Sequence, residues 1–283
     1  MLHVLRRLVR NKYFWILSII FYFLFAVYNM QRKAVVSNSV EECILLSIDD
    51  HLMLLVLFSI FPICVSSGIG IISANDLHVI SRTSNKSSWY GGCIVQIIVI
   101  AIIETLLYLI FCYLSGMAKN MNILSTWDSS NFRYQGLLNP DSFDSFGQPL
   151  QYAINNNISP IDTVLQAALL LMLRSTGFIS VCWLISSLVQ RRWAGIVITI
   201  LLSWLDIYFY NIFRLPKLYV LPHEYSIATT INGRTLPIMI SVFYWMVLCS
   251  GIQLIGYMNN DRIIETATCY RSKVKATGEV NNG

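Results

Sequence analysis

Six long apolar runs with short polar ends divide the chain: Tyr13–Met30, Leu52–Ala74, Cys93–Leu114, Thr163–Val189, Ala194–Phe213 and Pro237–Tyr257. Each holds roughly 18 to 27 residues, and a helix needs about 20 to cross a ~30 Å hydrocarbon layer. Inside lipid the backbone must satisfy its own hydrogen bonds, which leaves helices or closed barrels. The runs are continuous rather than alternating, so the pattern predicts helices. The expected fold is an all-α polytopic membrane protein with six transmembrane helices. Six spans in 283 residues leave no room for a separate soluble domain, so 1–283 reads as one membrane domain whose last part, 258–283, is a cytoplasmic tail.

Before the first run, Met1–Lys12 is amphipathic. Met1, Leu2, Val4, Leu5, Leu8 and Val9 fall within an arc of about 160°, and His3, Arg6, Arg7 and Arg10 occupy the opposite face. Such a helix lies in the interface with its arginines near anionic headgroups, or serves only as a basic anchor. The first run is rather long for a signal peptide, and Val27–Gln31 offers no small-x-small cleavage site, so it is expected to remain as a helix.

Composition agrees with a membrane protein: 55% of residues are hydrophobic and 12% charged, with a mean hydropathy of +0.59. The net charge of +5 matters less than its placement. With both termini inside, the inner segments carry 12 Lys and Arg in 60 residues and the outer segments 7 in 92. That bias places both termini in the cytoplasm and makes Ser115–Asp162 the largest outer loop. The basic residues cluster beside spans, which argues against nucleic acid as a partner. Seven cysteines show no C-x-x-C pair, and most sit within spans. They read as small buried hydrophobes, with Cys43 alone clearly in an outer loop.

Three ionisable residues sit deep in apolar runs: Glu104, Arg174 and Asp206. A charge at the bilayer centre costs about 2.5–3.5 kcal/mol even on the lenient insertion scale, so each should pair or face a wet cavity. Glu104 and Arg174 share a depth on consecutive spans, and a pair between them is the simplest arrangement. Such a pair either fixes helix packing or lines a translocation path. Asp206 lies closer to the outer surface. In the second run, Pro62 should kink the helix, and Ser66-Ser67-Gly68-Ile69-Gly70 permits close helix approach.

The loop Asn75–Gly92 is the longest inner connection between spans. Leu77 and Ile80 could line one side of a short helix, Arg82 and Lys86 are four apart, and Trp89 and Tyr90 suit the interface. It reads either as a solvated connector or as a docking element for a cytoplasmic partner.

Three features occur together: the basic lead-in His3–Trp15, the Ser81-Arg82-x-x-x-Lys86-x-x-Trp89 pattern between spans two and three, and the basic turn Gln190-Arg191-Arg192-Trp193-Ala194-Gly195. In this the chain resembles the permease subunits of ABC-2-type ATP-binding-cassette transporters, particularly the short bacterial ones that work with separate ATPases. The resemblance implies that Met1–Lys12 is a connecting helix and that Asn75–Tyr90 is the coupling element that docks on the ATPase. Its residues would include Asp76, Ser81, Arg82, Lys86 and Trp89, although no Gly-Thr follows Asp76 as in the family. It further implies a second permease as homo- or heterodimer partner, and a stretch within Arg214–Leu236 that dips back into the membrane.

The chain holds no G-x-x-x-x-G-K-[ST] loop, so ATP and magnesium would bind the partner subunit. No cofactor or metal is expected here, since His223-Glu224 has no second histidine at zinc spacing. Nor is an enzyme expected. There is no H-E-x-x-H, Glu41-Glu42 is followed by leucine at 46 where CAAX-type membrane proteases have arginine, and the four histidines lie outside the spans on both faces. The expected function is an exporter subunit in the cell membrane. The alternative is a non-transporting immunity or peptide-sensing protein that binds its ligand through the outer loops. A secondary transporter fits less well, because the first and last three spans show no convincing repeat.

Overall fold

The computed structural model describes residues 12–34, 38–49, 55–66, 86–123, 159–213 and 236–276. Among these residues the structure is helical and contains no strand; one isolated bridge joins Ser39 and Asn122. The helices are α1 (Lys12–Lys33) and α2 (Val40–Asp49), then a π-helical turn (Val56–Ile60) leading into α3 (Phe61–Ser66). There follow α4 (Lys86–Ala118), α5 (Pro160–Val189), α6 (Arg192–Phe213), α7 (Leu236–Met258) and α8 (Asn260–Ala276).

Among the described residues, three helices are long and apolar enough to cross a membrane: α1, the stretch Trp89–Ala118 of α4, and α5. Val242–Met258 and Asn260–Thr266 meet at a 58° bend and make a fourth if the two count as one broken span. The described apolar stretches of the second and fifth runs, Val56–Ser66 and Arg192–Leu205, are shorter. Ile16, Ile20 and Leu24 on α1, Leu106 and Ile110 on α4, and Leu201 and Leu205 on α6 face outward. Apolar surface spread so widely suits lipid rather than water.

α5 is the central helix. It packs against α4, α6, α7 and the π-helical turn before α3, while α1 lies along α4. Ser159 caps α5 by accepting the Asp162 N–H at 3.1 Å, and Pro160 follows at the first helical position. At the far end Gln190 adopts a left-handed conformation, φ 54°, and α6 starts two residues on. The hairpin closes tightly at Gly195, where an added Cβ would lie 2.6 Å from the Cys182 carbonyl oxygen.

The structure departs from the sequence expectations in three places. Lys86 and Trp89, expected in the coupling loop, stand on the first turns of α4, which continues unbroken to Ala118. Hydropathy marks the part of a helix that dwells in lipid, whereas Lys86, Ser87 and Ser88 simply extend its backbone hydrogen bonds. The outer segment expected as a loop holds α2, whose Val40, Cys43, Ile44 and Ile48 are buried. Ser39 starts that helix with its hydroxyl beside the Glu42 N–H and donating to Glu41 Oε2 at 3.0 Å. The tail after the last run is also helical, as α8.

None of the seven cysteines is in a disulfide. Cys43, Cys93, Cys112 and Cys182 are buried, as expected of small hydrophobes, but Cys43 sits in the α2 core rather than a loop. Burial, with Glu42 beside it, pushes the Cys43 thiol up to about 12, so it remains a neutral thiol at physiological pH. Residues 1–11 of the expected interfacial helix Met1–Lys12, all four histidines and the Gly68-Ile69-Gly70 stretch lie outside the described residues.

Candidate functional site: a polar layer around a broken helix

Pro62 sets the local problem. It has no N–H, and in α-helical spacing the group left without a donor is the Phe58 carbonyl. The preceding turn is π-helical, with the Phe61 N–H bonded to the Val56 carbonyl. In that wider spacing the Leu57 carbonyl would also turn to residue 62. An unmet carbonyl in an apolar interior costs several kcal/mol.

Two neighbouring helices supply the missing donors. The Tyr22 hydroxyl of α1 donates to the Leu57 carbonyl at 3.0 Å. The Ser175 hydroxyl of α5 donates to the Phe58 carbonyl at 3.2 Å. The break is therefore clamped from both sides. Below it, the Ser66 hydroxyl donates back to the Pro62 carbonyl at 2.6 Å. Aromatic rings close the surroundings: Phe21 stacks on Phe61 at 3.8 Å, and the edges of Tyr22–Phe61 and Phe58–Tyr108 meet at 5.4 and 5.3 Å. Asn29 Nδ2 reaches the Tyr108 hydroxyl at 3.4 Å.

Glu104 lies in this layer, one turn before Tyr108 on α4 and 1% exposed. Both of its carboxyl oxygens are buried without a hydrogen-bond partner. Tyr22 lies beside the same stretch of α4, its ring meeting that of Tyr108 at 6.4 Å between centres. The hydroxyls of Ser18 and Ser59 are likewise buried and without a partner.

Arg174 is fully buried on α5. Its guanidinium carbon lies 4.8 Å from the Phe178 ring centre and 5.9 Å from that of Trp245. The expected hydrogen-bonded Glu104–Arg174 pair is not made, since neither oxygen of Glu104 accepts a bond. Equal depth placed the two residues on one level, but helix rotation turns the guanidinium toward Phe178 of its own helix and Trp245 of α7. Both residues point inward, as expected of buried charge. Asp206 belongs to α6; its side chain lies outside the described residues.

A second polar cluster ties the start of α4 to α5 and α7. The Tyr90 hydroxyl donates to the Gln253 carbonyl and lies 3.0 Å from Gln253 Oε1. Gln253 Nε2 donates to the Ser180 hydroxyl at 2.7 Å. Tyr90 also meets Trp183 edge-on at 5.3 Å, and Trp89 and α8's Ile263 pack into the same cluster. Of the expected docking residues, Asp76, Ser81 and Arg82 lie outside the described residues. Lys86 and Trp89 are placed on the helix that this cluster anchors.

The sequence pointed to Glu104, Arg174 and Pro62, and to Tyr90 as an interface residue, but not to Tyr22, Ser175 or Gln253. A usable signal was present. A proline in an apolar run announces orphaned carbonyls three to five residues earlier, and hydroxyl residues on neighbouring runs are the available donors. Among the described residues no group of three or more His, Cys, Asp or Glu could hold a metal ion. No protein-family model, curated protein or solved structure matches this chain.

Proposed function

We propose that this chain is the membrane-spanning permease subunit of an ATP-driven ABC-2-type exporter. It would have six spans and both termini on the cytoplasmic face of the cell membrane. A separate ATPase would bind ATP and magnesium, and a second permease, identical or related, would complete the transport path.

The observation that carries the reading is the construction of α4. This helix runs from Lys86 to Ala118 without a break, well beyond its apolar run. At its start, Tyr90 and Trp89 are fastened to α5, α7 and α8 through Gln253, Ser180, Trp183 and Ile263. A push on the preceding segment would therefore reach three helices of the bundle together. That is the mechanical requirement of a coupling element with Asp76, Ser81 and Arg82 at its docking face and Lys86 and Trp89 on the lever. The 58° bend before α8 supports a surface-lying final helix on the same side.

Two experiments test this reading. The tagged chain, purified from the membranes of its source, should bring down a soluble ATPase in stoichiometric amount. Arg82→Glu should cut that recovery several-fold and leave membrane insertion unchanged. A chain that purifies alone and binds a peptide through its outer surface would instead support the immunity or sensing alternative. For topology, Ser130→Cys should react with an impermeant thiol reagent from outside intact cells. Labelling only after the cytoplasmic side is opened would invert the orientation.

A further inference from the structure

We propose that Glu104 is a proton-binding site that controls the clamp on the π-helical turn that leads into α3. The carboxyl carries its proton in the packed bundle. When the seam between α1, α4 and the break admits water, the carboxyl O–H bond breaks and the proton passes to that water. The carboxylate left behind draws the Tyr22 O–H away from the Leu57 carbonyl. This inference is independent of the transport reading, since it concerns the chain by itself.

The argument starts from what surrounds the carboxyl. Glu104 is 1% exposed and neither oxygen accepts a hydrogen bond. A buried carboxylate without donors or a counter-ion costs several kcal/mol, whereas the neutral acid avoids most of that cost. Among the described residues, no facing group supplies the missing positive charge. α1 contributes Tyr22, and α4 itself adds Tyr108 one turn on. The segment Leu55–Ser66 carries no charged residue, and its one thiol, Cys64, is exposed. On α5, Arg174 holds its guanidinium over Phe178 and Trp245. α2 places Glu41 against Tyr113, more than two turns further along α4. A metal cation would need room among close-packed rings; a proton needs none.

Tyr22 links the carboxyl to the break. A phenol donates a single hydrogen bond, and that of Tyr22 goes to Leu57 O at 3.0 Å. Tyr22 meets Tyr108, one turn from Glu104, at 6.4 Å between ring centres, so an ionised Glu104 competes for the same proton, and bonds to charged acceptors are roughly twice as strong as neutral ones. Ionisation therefore removes one of the two donors that hold the π-helical turn. π-Helical turns are frequent at sites of conformational change.

The test uses the purified full-length chain in lipid vesicles and infrared spectroscopy. At neutral pH the wild type should show the carbonyl band of a protonated carboxylic acid, and Glu104→Gln should lose that component. Glutamine resembles the neutral acid in shape and charge, so this variant should fold with the wild-type yield. In Tyr22→Phe the band should persist to more alkaline pH than in the wild type, because the carboxylate has lost a nearby donor. Identical bands in wild type and Glu104→Gln would overturn the proposal. So would failure of Glu104→Gln to fold, because that would mean the site requires the anion. An unchanged titration in Tyr22→Phe would overturn the link to the clamp.

Discussion

Arg174→Ala is expected to abolish recovery of folded protein, the largest single-site effect in this chain. Arg174 is among the largest fully buried side chains, set in the middle of the central helix. Truncation removes the guanidinium from Phe178 and Trp245 and leaves a void between α5 and α7. Truncating a large core residue or removing one partner of a buried charge costs about 3–5 kcal/mol. A whole domain has only about 5–15 kcal/mol of stability. Arg174→Lys should fall between alanine and wild type, because a planar guanidinium stacks over a ring and an ammonium does so less well. Monodisperse yield in mild detergent and thermal unfolding of what is recovered would measure the series. A wild-type yield for Arg174→Ala would show that α5 and α7 do not meet around this side chain. Glutamine variants decide how the two buried ionisable residues relate. A Glu104–Arg174 pair implies that each glutamine variant alone is harmful and that the double variant recovers. The structure instead predicts a small effect for Glu104→Gln, a large one for Arg174→Gln, and simple additivity.

What the sequence makes readable follows from which energies are large. A charge inside an apolar run stands out because its burial is costly, and both Glu104 and Arg174 are buried. The long runs at α1, α4 and α5 were readable for the same reason: lipid demands a continuous apolar helix. Rotation of each helix about its axis is not written in hydropathy, and rotation decides partners. That is why Arg174 meets Phe178 and Trp245 rather than Glu104. Hydroxyls are cheap to place in a helix, so Tyr22 and Ser175 gave no warning of their role. Helix ends were blurred because a backbone ladder continues past the edge of the apolar run, as at Lys86–Ser88. α2 escaped notice because ten residues are too few to span and its acids, Glu41 and Glu42, suggested a solvated loop.

Restoring a donor at position 62 should make both clamps dispensable. In the wild type, Ser175→Ala strips the Phe58 carbonyl of its 3.2 Å bond, and Tyr22→Phe strips the Leu57 carbonyl of its 3.0 Å bond. Side-chain hydrogen bonds between membrane helices are worth about 0.6–2 kcal/mol. Each single variant should lose roughly that much. The pair together should lose more than their sum, because the first loss leaves the π-helical turn held by a single donor. Pro62→Ala returns an N–H that the Phe58 carbonyl can accept in ordinary α spacing. The Phe61 N–H can then move from Val56 to Leu57 as the turn tightens. In the Pro62→Ala background, Ser175→Ala and Tyr22→Phe should each cost little. The coupling energy in a double-mutant cycle should be about 1 kcal/mol for either hydroxyl. Unfolding of the reconstituted chain would measure the cycle, and hydrogen exchange across residues 55–66 would report whether the turn has healed. Equal costs of Ser175→Ala with proline and with alanine at 62 would show that the Ser175 hydroxyl does not stand in for the missing N–H. If Pro62→Ala raises stability while lowering activity in the intact assembly, the break is kept for motion, and the two hydroxyls hold it in its packed position between strokes.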